Sequence, residues 1–482
     1  LKSSASRMSI SQIKEHIKQP LFRIIAGLAE EMGLEAFIVG GYVRDLILDR
    51  PSKDLDIVVS ANGIGFATAL SEKLEGTHVN LFKRFGTAQF MCGDLDIEVV
   101  GARKESYRSN SRNPEVSEGS LEEDRARRDF TINALSISLN NSDFGSVIDP
   151  FNGLDHLEEG LLVTPLEPEK TYSDDPLRMM RAVRFAAQLG FRIEDKSYEA
   201  LSTQKERIKI VSQERITEEL NKIIASKKPS LGFKILFNTG ILHIIFPKMI
   251  ELYGVEKRNG VSHKDNFYHT LQVLDNTADR SEDLWLRWSA ILHDIAKPDT
   301  KRFDKVHGWT FHGHEDRGAR MVPKIFKQLK LPLDSKMKFV QKMVKLHLRP
   351  IALSGEHVSD SGVRRLIVDA GDDLNSLMTL CESDITSKNE SKVHRYLQNF
   401  QRVRDKCEEV EEKDKLRNWE PPIGGAEIMN IFDLEPGRIV GELKAQIRES
   451  ILDGEVENNL EDSMAFLLKI AEKRGLKPKK KV

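Results

Sequence analysis

A glycine pair, followed after a short helical stretch by two aspartates on an apolar strand, is the feature that most limits how this chain can fold. Residues 40–56 read GGYVRDLILDRPSKDLD and follow an apolar run, residues 37–39, that predicts a short buried strand. Gly40 and Gly41 predict a tight turn, and residues 42–48 have the spacing of a helix. Residues 54–59 predict a second strand. Because glycines let a backbone approach a phosphate closely, this α/β unit is a candidate phosphate-binding site.

The acidic residues of the predicted strands indicate a divalent-metal site. Asp54 and Asp56 lie two residues apart, so their side chains point to the same face of a sheet. Adjacent carboxylates repel each other unless cations neutralise them. The run DLDIEVV at residues 94–100 offers further carboxylates at period two, and a third carboxylate would complete a two-metal phosphoryl-transfer centre. From the pair alone, an ordinary surface position is an equal alternative.

Six ordered motifs carry a resemblance to a known family. They are GGYVRD, KDLDIVV, DIEVVGARKESY, EEDRARRDFTINAL, IDPFNGLDHL and SDDPLRMMRAVRFAAQLGF. The chain closely resembles the class II tRNA nucleotidyltransferases (CCA-adding enzymes) and their bacterial poly(A) polymerase relatives. The resemblance implies an α/β nucleotidyltransferase head with a polymerase β-like mixed sheet, followed by an elongated all-α neck, body and tail that includes an HD domain.

The resemblance also implies roles for the head residues. Asp54 and Asp56 would be catalytic and hold two Mg²⁺ ions. Glu98 is the expected third carboxylate, because Ile97-Glu98-Val99 fits the family's apolar–acid–apolar pattern, and Asp96 is the reserve. Gly41 and Arg44 would hold the triphosphate.

Further basic residues are expected to bind the incoming nucleotide. Arg128 matches a family arginine that contacts it, although residues 125–128 alone resemble a solvated basic cluster. The family reads C and A with an E/D-D-x-x-R motif, here at residues 174–178, where Asp174 replaces the commoner glutamate. A salt-bridged helix face is the alternative for this stretch. The expected nucleotide-binding residues of the helix are Asp175, Arg178, Arg181 and Arg184.

The implied activity is template-independent addition of CMP, CMP and AMP from CTP and ATP to the 3′ end of tRNA, with release of pyrophosphate. A polar loop is expected at residues 103–119, the place of a family loop that helps the site change from CTP to ATP, and it favours complete CCA addition. A poly(A) polymerase of the same family is one alternative. An HD-type metal phosphohydrolase acting on nucleotide or RNA ends is another.

Histidines and acids concentrate between residues 260 and 390 and resemble an HD-domain phosphohydrolase. Neutral imidazoles suit transition metals, and such a metal activates water for attack on a phosphate. A transition-metal ion is therefore expected here, and His314 and His347 would hold a second one. A module that only supports RNA binding or the fold is an equal alternative to catalysis at this metal. The implied ligands of the first ion are His269, His293, Asp294 and Asp384.

Composition limits partners and location. The 482 residues include 73 basic and 75 acidic ones, and the net charge is −2. This balance is compatible with a local basic surface that binds RNA. The three cysteines lack metal-type spacing, no apolar run is long enough to span a membrane, and a cytoplasmic location is expected.

The expected domain order is a head, a neck, a body and a tail. The predicted bounds are 1–140 for the head, 141–228 for the nucleotide-recognising neck, 229–395 for the body with the HD domain, and 396–482 for the helical tail. Residues 9–33 predict one amphipathic helix, and only helices are expected after Gly190.

Overall fold

Two compact units make up the chain. The computed structural model describes residues 7–82, 86–106, 115–354, 359–387, 389–414 and 419–479. The units are Leu1–Ile250, which contains the mixed sheet, and Glu251–Val482, which is mostly helical. The predicted α/β head followed by helical segments is confirmed. The finer division into head, neck, body and tail stays a prediction.

A seven-stranded mixed sheet forms the first part of the first unit. Side by side, its strands are β3 (Asn80–Phe82), β4 (Thr87–Cys92), β5 (Leu95–Gly101), β2 (Asp54–Val59), β1 (Ala36–Val39), β8 (Ser136–Ser138) and β9 (Val147–Ile148). β2 and β5 are parallel, and the other neighbours are antiparallel. The central position of β2 fixes its two aspartates between paired strands on both sides.

A separate two-stranded ribbon follows the sheet strands. β6 (Arg103–Ser106) pairs with β7 (Glu115–Glu118) in antiparallel register. The predicted loop at residues 103–119 therefore has paired strands near both of its ends. Its centre, residues 107–114, lies outside the described residues.

The two faces of β2 have opposite chemistry. Leu55, Ile57 and Val59 are fully buried on one face, where helix α4 (Gly63–Lys73) packs against β2, β4 and β5. Alternation along a strand then sends Asp54 and Asp56 to the other face. Packing of the apolar face thus holds the strand that carries both carboxylates.

Five further helices accompany this sheet. They are α1 (Ile10–His16), α2 (Pro20–Glu31), α3 (Gly41–Ile47), α5 (Leu121–Ala126) and α6 (Gly153–Glu159). The single helix predicted for residues 9–33 is wrong, because Pro20 begins α2 and has no N–H to continue α1. The predicted helix after the glycine pair is confirmed as α3.

Seven more helices complete the first unit. They are α7 (Pro168–Asp174), α8 (Leu177–Leu189), α9 (Asp195–Thr203), α10 (Gln213–Ile224), α11 (Pro229–Asn238), α12 (Ile241–Ile245) and α13 (Pro247–Ile250). β10 (Leu161–Leu162) and β11 (Arg192–Ile193) pair in parallel. α8 packs on α10 and α11. Met179, Met180 and Val183 are fully buried on α8, which leaves its arginines on the opposite side.

The second unit contains twelve helices within the described residues. They are α14 (Asn266–Ala278), α15 (Leu284–Leu292), α16 (Lys297–Thr300), α17 (His314–Gln328), α18 (Ser335–Leu346), α19 (Arg349–Leu353), α20 (Asp360–Ala370), α21 (Leu374–Ser383), α22 (Glu390–Asp414), α23 (Gly425–Phe432), α24 (Arg438–Leu452) and α25 (Leu460–Glu472). In the described part of the chain, none of the helices combines the length and apolar content that crossing a bilayer requires.

The expectation of helices alone after Gly190 is wrong. Besides β11, two antiparallel hairpins are present: β12 (Lys257–Arg258) with β13 (Val261–Ser262), and β14 (Arg302–Asp304) with β15 (Gly308–Thr310). Asn259 and Gly260 turn the first hairpin with φ values of 48° and 80°. Both values are in the left-handed region that a two-residue Asn-Gly turn requires.

We predict that Phe66→Ala destabilises the first unit by about 3–5 kcal/mol, because Phe66 is fully buried beneath the sheet. Phe82→Ala is the matched control, since Phe82 is 46% exposed on β3. All four tryptophans lie in the second unit. In urea unfolding, Phe66→Ala should therefore shift the transition followed by circular dichroism and leave the transition followed by tryptophan fluorescence unchanged. Equal effects of the two substitutions would contradict this packing.

Candidate active site and metal cluster

Four carboxylates of strands β2 and β5 line one cavity of the head. Asp54 lies opposite Asp96 and Asp56 opposite Glu98 across the parallel strands β2 and β5. All four side chains border the same cavity of about 650 Å³. The sequence prediction that these acids share one face of the sheet is confirmed by this register.

Asp56 is the electrostatic centre of this group. Burial raises the pKa of Asp56, Arg128 opposes that rise, and the nearby charges of Asp54 and Asp96 raise the pKa further. A cation beside Asp56 would offset both the cost of burying its charge and the repulsion from neighbouring carboxylates. The donors are carboxylate oxygens, which suit Mg²⁺, so the residues present fit the ion expected from the sequence.

The described carboxylates of the head do not form a tight group of three. Among the described residues, no three head carboxylates bring their oxygens within 4.8 Å of one another. Carboxylates of like charge repel one another. The Gln89 amide nitrogen donates to both oxygens of Asp96, at 2.9 and 2.8 Å. Glu98 lies opposite Asp56 on β5. Its role as the third ligand, with Asp96 in reserve, stays a prediction.

The glycine turn touches the carboxylates directly. Gly40 has a φ of 76°, and a Cβ there would lie 2.9 Å from Asp56 Oδ2 and 3.0 Å from Arg128 Nη1. A Cβ on Gly41 would meet Arg44 Nη2 at an ordinary 3.5 Å. Of these two positions, only position 40 requires glycine, because the backbone there lies so close to a carboxylate and a guanidinium group.

Arg44 lies at the cavity with its donors already engaged. Its Nε and Nη2 bond the two oxygens of Asp45 at 2.9 and 2.8 Å, and its Nη1 donates to Asn133 Oδ1 at 2.8 Å. This geometry makes Arg44 a fixed positive charge beside Gly41. Binding of the triphosphate by these two residues stays a prediction.

Arg128 is close to the carboxylates, as its predicted contact with a nucleotide requires. Its Nη2 lies 3.4 Å from Asp124 Oδ2, and Asp124 also pairs with Arg127 at 2.6 Å. The Nε of Arg128 is buried and has no hydrogen-bond partner among the described residues. Arg128 lines the same cavity as Asp56, and its guanidinium group is suited to an incoming anion.

The predicted recognition residues of α8 line the same cavity. Asp175 Oδ1 accepts a bond from the Leu177 amide at the start of the helix, 3.2 Å. Arg178 Nη2 donates to the carbonyl of Arg127, 2.6 Å. Arg181 pairs with Asp129 at 2.6 Å. The structure thus brings Asp175 and all three predicted arginines to one wall of the cavity.

Arg184 is held differently from the other arginines. Its Nε lies 2.6 Å from Glu219 Oε2, although the contact lacks hydrogen-bond geometry. Burial lowers the pKa of Arg184 to about 10. Three guanidinium groups surround the ring of Phe185, at 4.1 Å for Arg184, 4.9 Å for Arg44 and 5.4 Å for Arg181. This aromatic contact fixes the spacing of the arginines.

Sequence reasoning missed several members of the site. Asp129 accepts from Arg181 and from the Asn133 amide, and Phe185, Gln89 and Glu219 order their neighbours. Burial alone would raise the pKa of Asp129, but Arg181 and Asn133 outweigh it and lower the value to about 2. Asp129 and Asn133 stand in the motif that contains Arg128. An acid and an amide in an arginine-rich motif were the available signal.

A second cluster of ligand-type atoms lies in the second unit. His269 Nε2 is 2.8 Å from Asp384 Oδ1, and His293 Nε2 is 3.3 Å from Asp294 Oδ2. Asp294 Oδ1 is also 3.2 Å from His314 Nε2. We call this group, completed by His347, the HD cluster. It brings together every HD-domain ligand predicted from the sequence.

The imidazoles of the HD cluster are oriented by their outer nitrogens. Nδ1 of His293, His314 and His347 contacts a backbone carbonyl at 2.7, 2.8 and 2.7 Å, and Nδ1 of His269 contacts the Thr386 hydroxyl at 3.1 Å. This leaves each Nε2 directed inward. Metal-binding histidines in proteins are held in this way.

The buried charges of the HD cluster also fit a metal. Burial lowers the pKa of His293, but Asp294 and Asp384 raise it to about 10. His293 Nε2, Asp294 Oδ2 and Asp384 Oδ1 are buried, and their contacts with neighbouring charged groups lack hydrogen-bond geometry in the described part of the chain. Nitrogen and oxygen donors in this mixture suit a transition metal.

Comparisons with known proteins match both halves of the chain. The family model "Poly A polymerase head domain" matches residues 36–163, "Probable RNA and SrmB-binding site of polymerase A" matches 190–252, and "HD domain" matches 266–377. Families of the first and third kind are metal-dependent, in agreement with the two sites.

Relatives cover most of the chain. A multifunctional CCA protein of Nitrosococcus oceani is 33% identical over 306 residues, 62% of this chain and 71% of that protein. An A-adding tRNA nucleotidyltransferase of Deinococcus radiodurans is 28% identical over 450 residues, 91% of this chain and 96% of the relative. The CCA-adding enzyme of Bacillus stearothermophilus, solved with CTP, has the same fold, with a TM-score of 0.68, 22% identity and coverage of 95% and 99% of the two chains.

We predict that Gly40→Ala destabilises the first unit by about 1–3 kcal/mol, because it combines a strained backbone with contact against Asp56. Gly41→Ala, whose Cβ has ordinary contacts, is the matched control. Urea unfolding followed by circular dichroism measures both. A similar loss in the two variants would contradict the proposed close approach.

We further predict that Asp129 stabilises the first unit in a pH-dependent way. Its folded pKa of about 2 is below the ordinary 3.8, so its contribution is present above that ordinary value and is lost as pH falls through the folded one. The advantage over Asp129→Asn, about 2 kcal/mol at neutral pH, should shrink between about pH 5 and pH 3. Urea unfolding across this range checks it, and a pH-independent difference would contradict it.

Proposed function

The chain belongs to the CCA-adding enzyme family of tRNA nucleotidyltransferases, and we propose that it adds CMP, CMP and AMP from CTP and ATP to the 3′ end of tRNA. A relative at 33% identity, matched over 71% of its length, establishes the family. The observation that carries the assignment is the register of β2 and β5, which aligns two pairs of carboxylates along one cavity wall. The arginines of α8 form another wall of that cavity. The cytoplasmic location expected from the sequence stays a prediction.

In this mechanism Asp54 and Asp56 hold Mg²⁺, with Glu98 as the third carboxylate. Mg²⁺ bound there supplies charge that lowers the pKa of the attacking 3′-hydroxyl and neutralises the triphosphate as pyrophosphate leaves. Gly40 lets the backbone approach Asp56 closely, and Arg44 and Arg128 contribute positive charge for the phosphates.

Base recognition is assigned to the start of α8. A carboxylate at Asp175 and a guanidinium at Arg178 offer an acceptor and donors to the edge of a base. Arg181 and Arg184 are held by Asp129 and Glu219, so the donor pattern exists before the nucleotide binds. A rigid pattern can select C and A without a template strand.

The decisive assay supplies tRNA that lacks its 3′ end with CTP, ATP or both. Ordered growth that stops after three residues supports CCA addition. A single A added only to tRNA already ending in CC would place the chain with A-adding enzymes, such as its Deinococcus relative. Long A tails on many RNAs would support a poly(A) polymerase instead.

We predict that Asp54→Ala and Asp56→Ala each abolish nucleotide incorporation and leave the fold intact, because each removes a metal-binding carboxylate on an edge of the cavity. Asp94→Ala is the matched control, since that aspartate is 91% exposed and pairs only with Lys53 at 3.6 Å among the described residues. Single-nucleotide incorporation with radiolabelled CTP measures the effect. Normal turnover of either cavity variant would refute the assignment.

The same assay separates the two candidates for the third carboxylate. Glu98→Gln should reduce incorporation more than Asp96→Asn if Glu98 holds the metal, because Glu98→Gln would then remove the charge of a metal ligand. A larger loss in Asp96→Asn would indicate that Asp96 is the third metal-binding carboxylate.

We propose metal-dependent phosphohydrolysis as a second activity, located at the HD cluster. The observation that favours it is the convergence of three buried ligand atoms, on His293, Asp294 and Asp384, whose contacts with one another lack hydrogen-bond geometry. A transition metal there supplies a Lewis acid that activates water for attack on a phosphate. Lys297, 2.7 Å from Asp294, adds a positive charge at the edge of the cluster.

We predict that hydrolysis of nucleoside 2′,3′-cyclic phosphates and monophosphates with added Mn²⁺, Ni²⁺ or Co²⁺ is lost in His293→Ala and retained in Asp54→Ala. His394→Ala is the control, because His394 is exposed on α22. Release of inorganic phosphate measures hydrolysis of the monophosphates, and chromatography of the nucleoside monophosphate product measures opening of the cyclic phosphates. Loss in the Asp54 variant, or retention in the His293 variant, would contradict a separate hydrolytic site.

A further inference from the structure

Beside the HD cluster, two short hairpins pack together into one surface. They are β12–β13 and β14–β15, and we call them the hairpin platform. A Cβ on Gly308 of β15 would lie 3.1 Å from the Val261 side chain of β13, and the Trp309 indole N–H donates to the Val261 carbonyl at 3.2 Å. The Trp309 ring contacts Phe303 and His263 edge-on, with centroids 5.2 and 5.4 Å apart. These contacts give the platform a fixed shape.

The hairpin platform carries a surplus of positive charge. The two acidic side chains of residues 256–264 and 301–309 are already engaged: Glu256 pairs with Lys301, and Asp304 accepts from the amides of Val306 and His307 at 2.8 Å each. Five basic residues of this region are exposed and form no ion pair with a carboxylate of the described residues. They are Lys257, Arg258, Lys264, Arg302 and Lys305.

Direct contacts join the hairpin platform to the HD cluster. Lys297 lies 2.7 Å from Asp294 and 5.6 Å from the centre of the Phe311 ring. The same ring is 5.9 Å from His263, which contacts Trp309 of the platform. The carbonyl of Phe311 holds His314 of the cluster at 2.8 Å. The basic surface is therefore continuous with the surroundings of the metal ligands.

We propose that the hairpin platform binds the phosphate backbone of an RNA strand whose 3′ end reaches the HD cluster. Several unpaired cations on one fixed surface suit a polyanion, whereas a mononucleotide offers too few phosphates to engage them. The proposal deepens the hydrolytic activity proposed above and rests on it for the substrate class, an RNA end in place of a free nucleotide. The binding surface itself is independent of that activity.

The test uses the full chain and a short single-stranded RNA that ends in a 3′-phosphate and carries 4-thiouridine next to that end. Crosslinking followed by mass spectrometry should map the RNA to residues 301–309. In Arg302→Ala/Lys305→Ala, this crosslink should fall at least tenfold. The salt slope of binding should also decrease by about 1.4, which corresponds to two phosphate contacts on a single strand. Lys469→Ala/Lys473→Ala removes the same charge from exposed positions on α25 and directly after it, and should change neither quantity.

Hydrolysis provides the second readout. With added Mn²⁺, kcat/KM for the RNA end should exceed that for adenosine 3′-monophosphate, and the Arg302/Lys305 double variant should lose this excess without a change for the mononucleotide. Crosslinks at the platform without hydrolysis of either substrate would remove the proposed hydrolase activity and keep the RNA surface. Crosslinks outside the platform, or an unchanged crosslink and salt slope in the double variant, would contradict RNA binding by the platform. A double variant that loses binding to phosphatidylglycerol vesicles and keeps its binding to RNA would contradict it as well.

Discussion

The repulsion among carboxylates around Asp56 is the interaction on which the head depends. Parallel pairing of β2 with β5 places Asp54 and Asp56 beside Asp96 and Glu98, and the buried apolar face of β2 keeps the strand from turning over. Arg128 offsets part of the negative charge at Asp56, whose pKa is nevertheless raised by burial and by its neighbours. Bound cations would complete this balance, which links the packing of the sheet to nucleotidyl transfer.

The arginines of α8 present the opposite problem, since positive charges crowd one wall of the same cavity. Asp129 and Glu219 engage Arg181 and Arg184, and the ring of Phe185 separates three guanidinium groups. Arg181 and Arg184 are thus held in place by acidic partners within the first unit. A nucleotide bound between the acidic and basic walls would have its triphosphate and its base addressed by different elements of one unit.

The sequence was sufficient to predict the features that depend on local pattern. The strand of Asp54, helix α3, the inward face of α8 and every member of the HD cluster follow from period, spacing or family motifs. Features that depend on pairing across the chain were missed: Asp129, Glu219 and Phe185 reveal their roles only when α8 lies against its neighbours. Pro20 was a readable signal for two helices where one was predicted, and Asn259-Gly260 was a readable signal for a hairpin among helices.

Anomalous diffraction from crystals of the full chain, grown with Mn²⁺ and a non-hydrolysable CTP analogue, tests the central claim most directly. The account predicts two ions about 3.5–4 Å apart, both bound by Asp54 and Asp56 and in contact with the triphosphate. An analogue bound in the cavity with its ions held by other residues, or with no ion at these two aspartates, would contradict it.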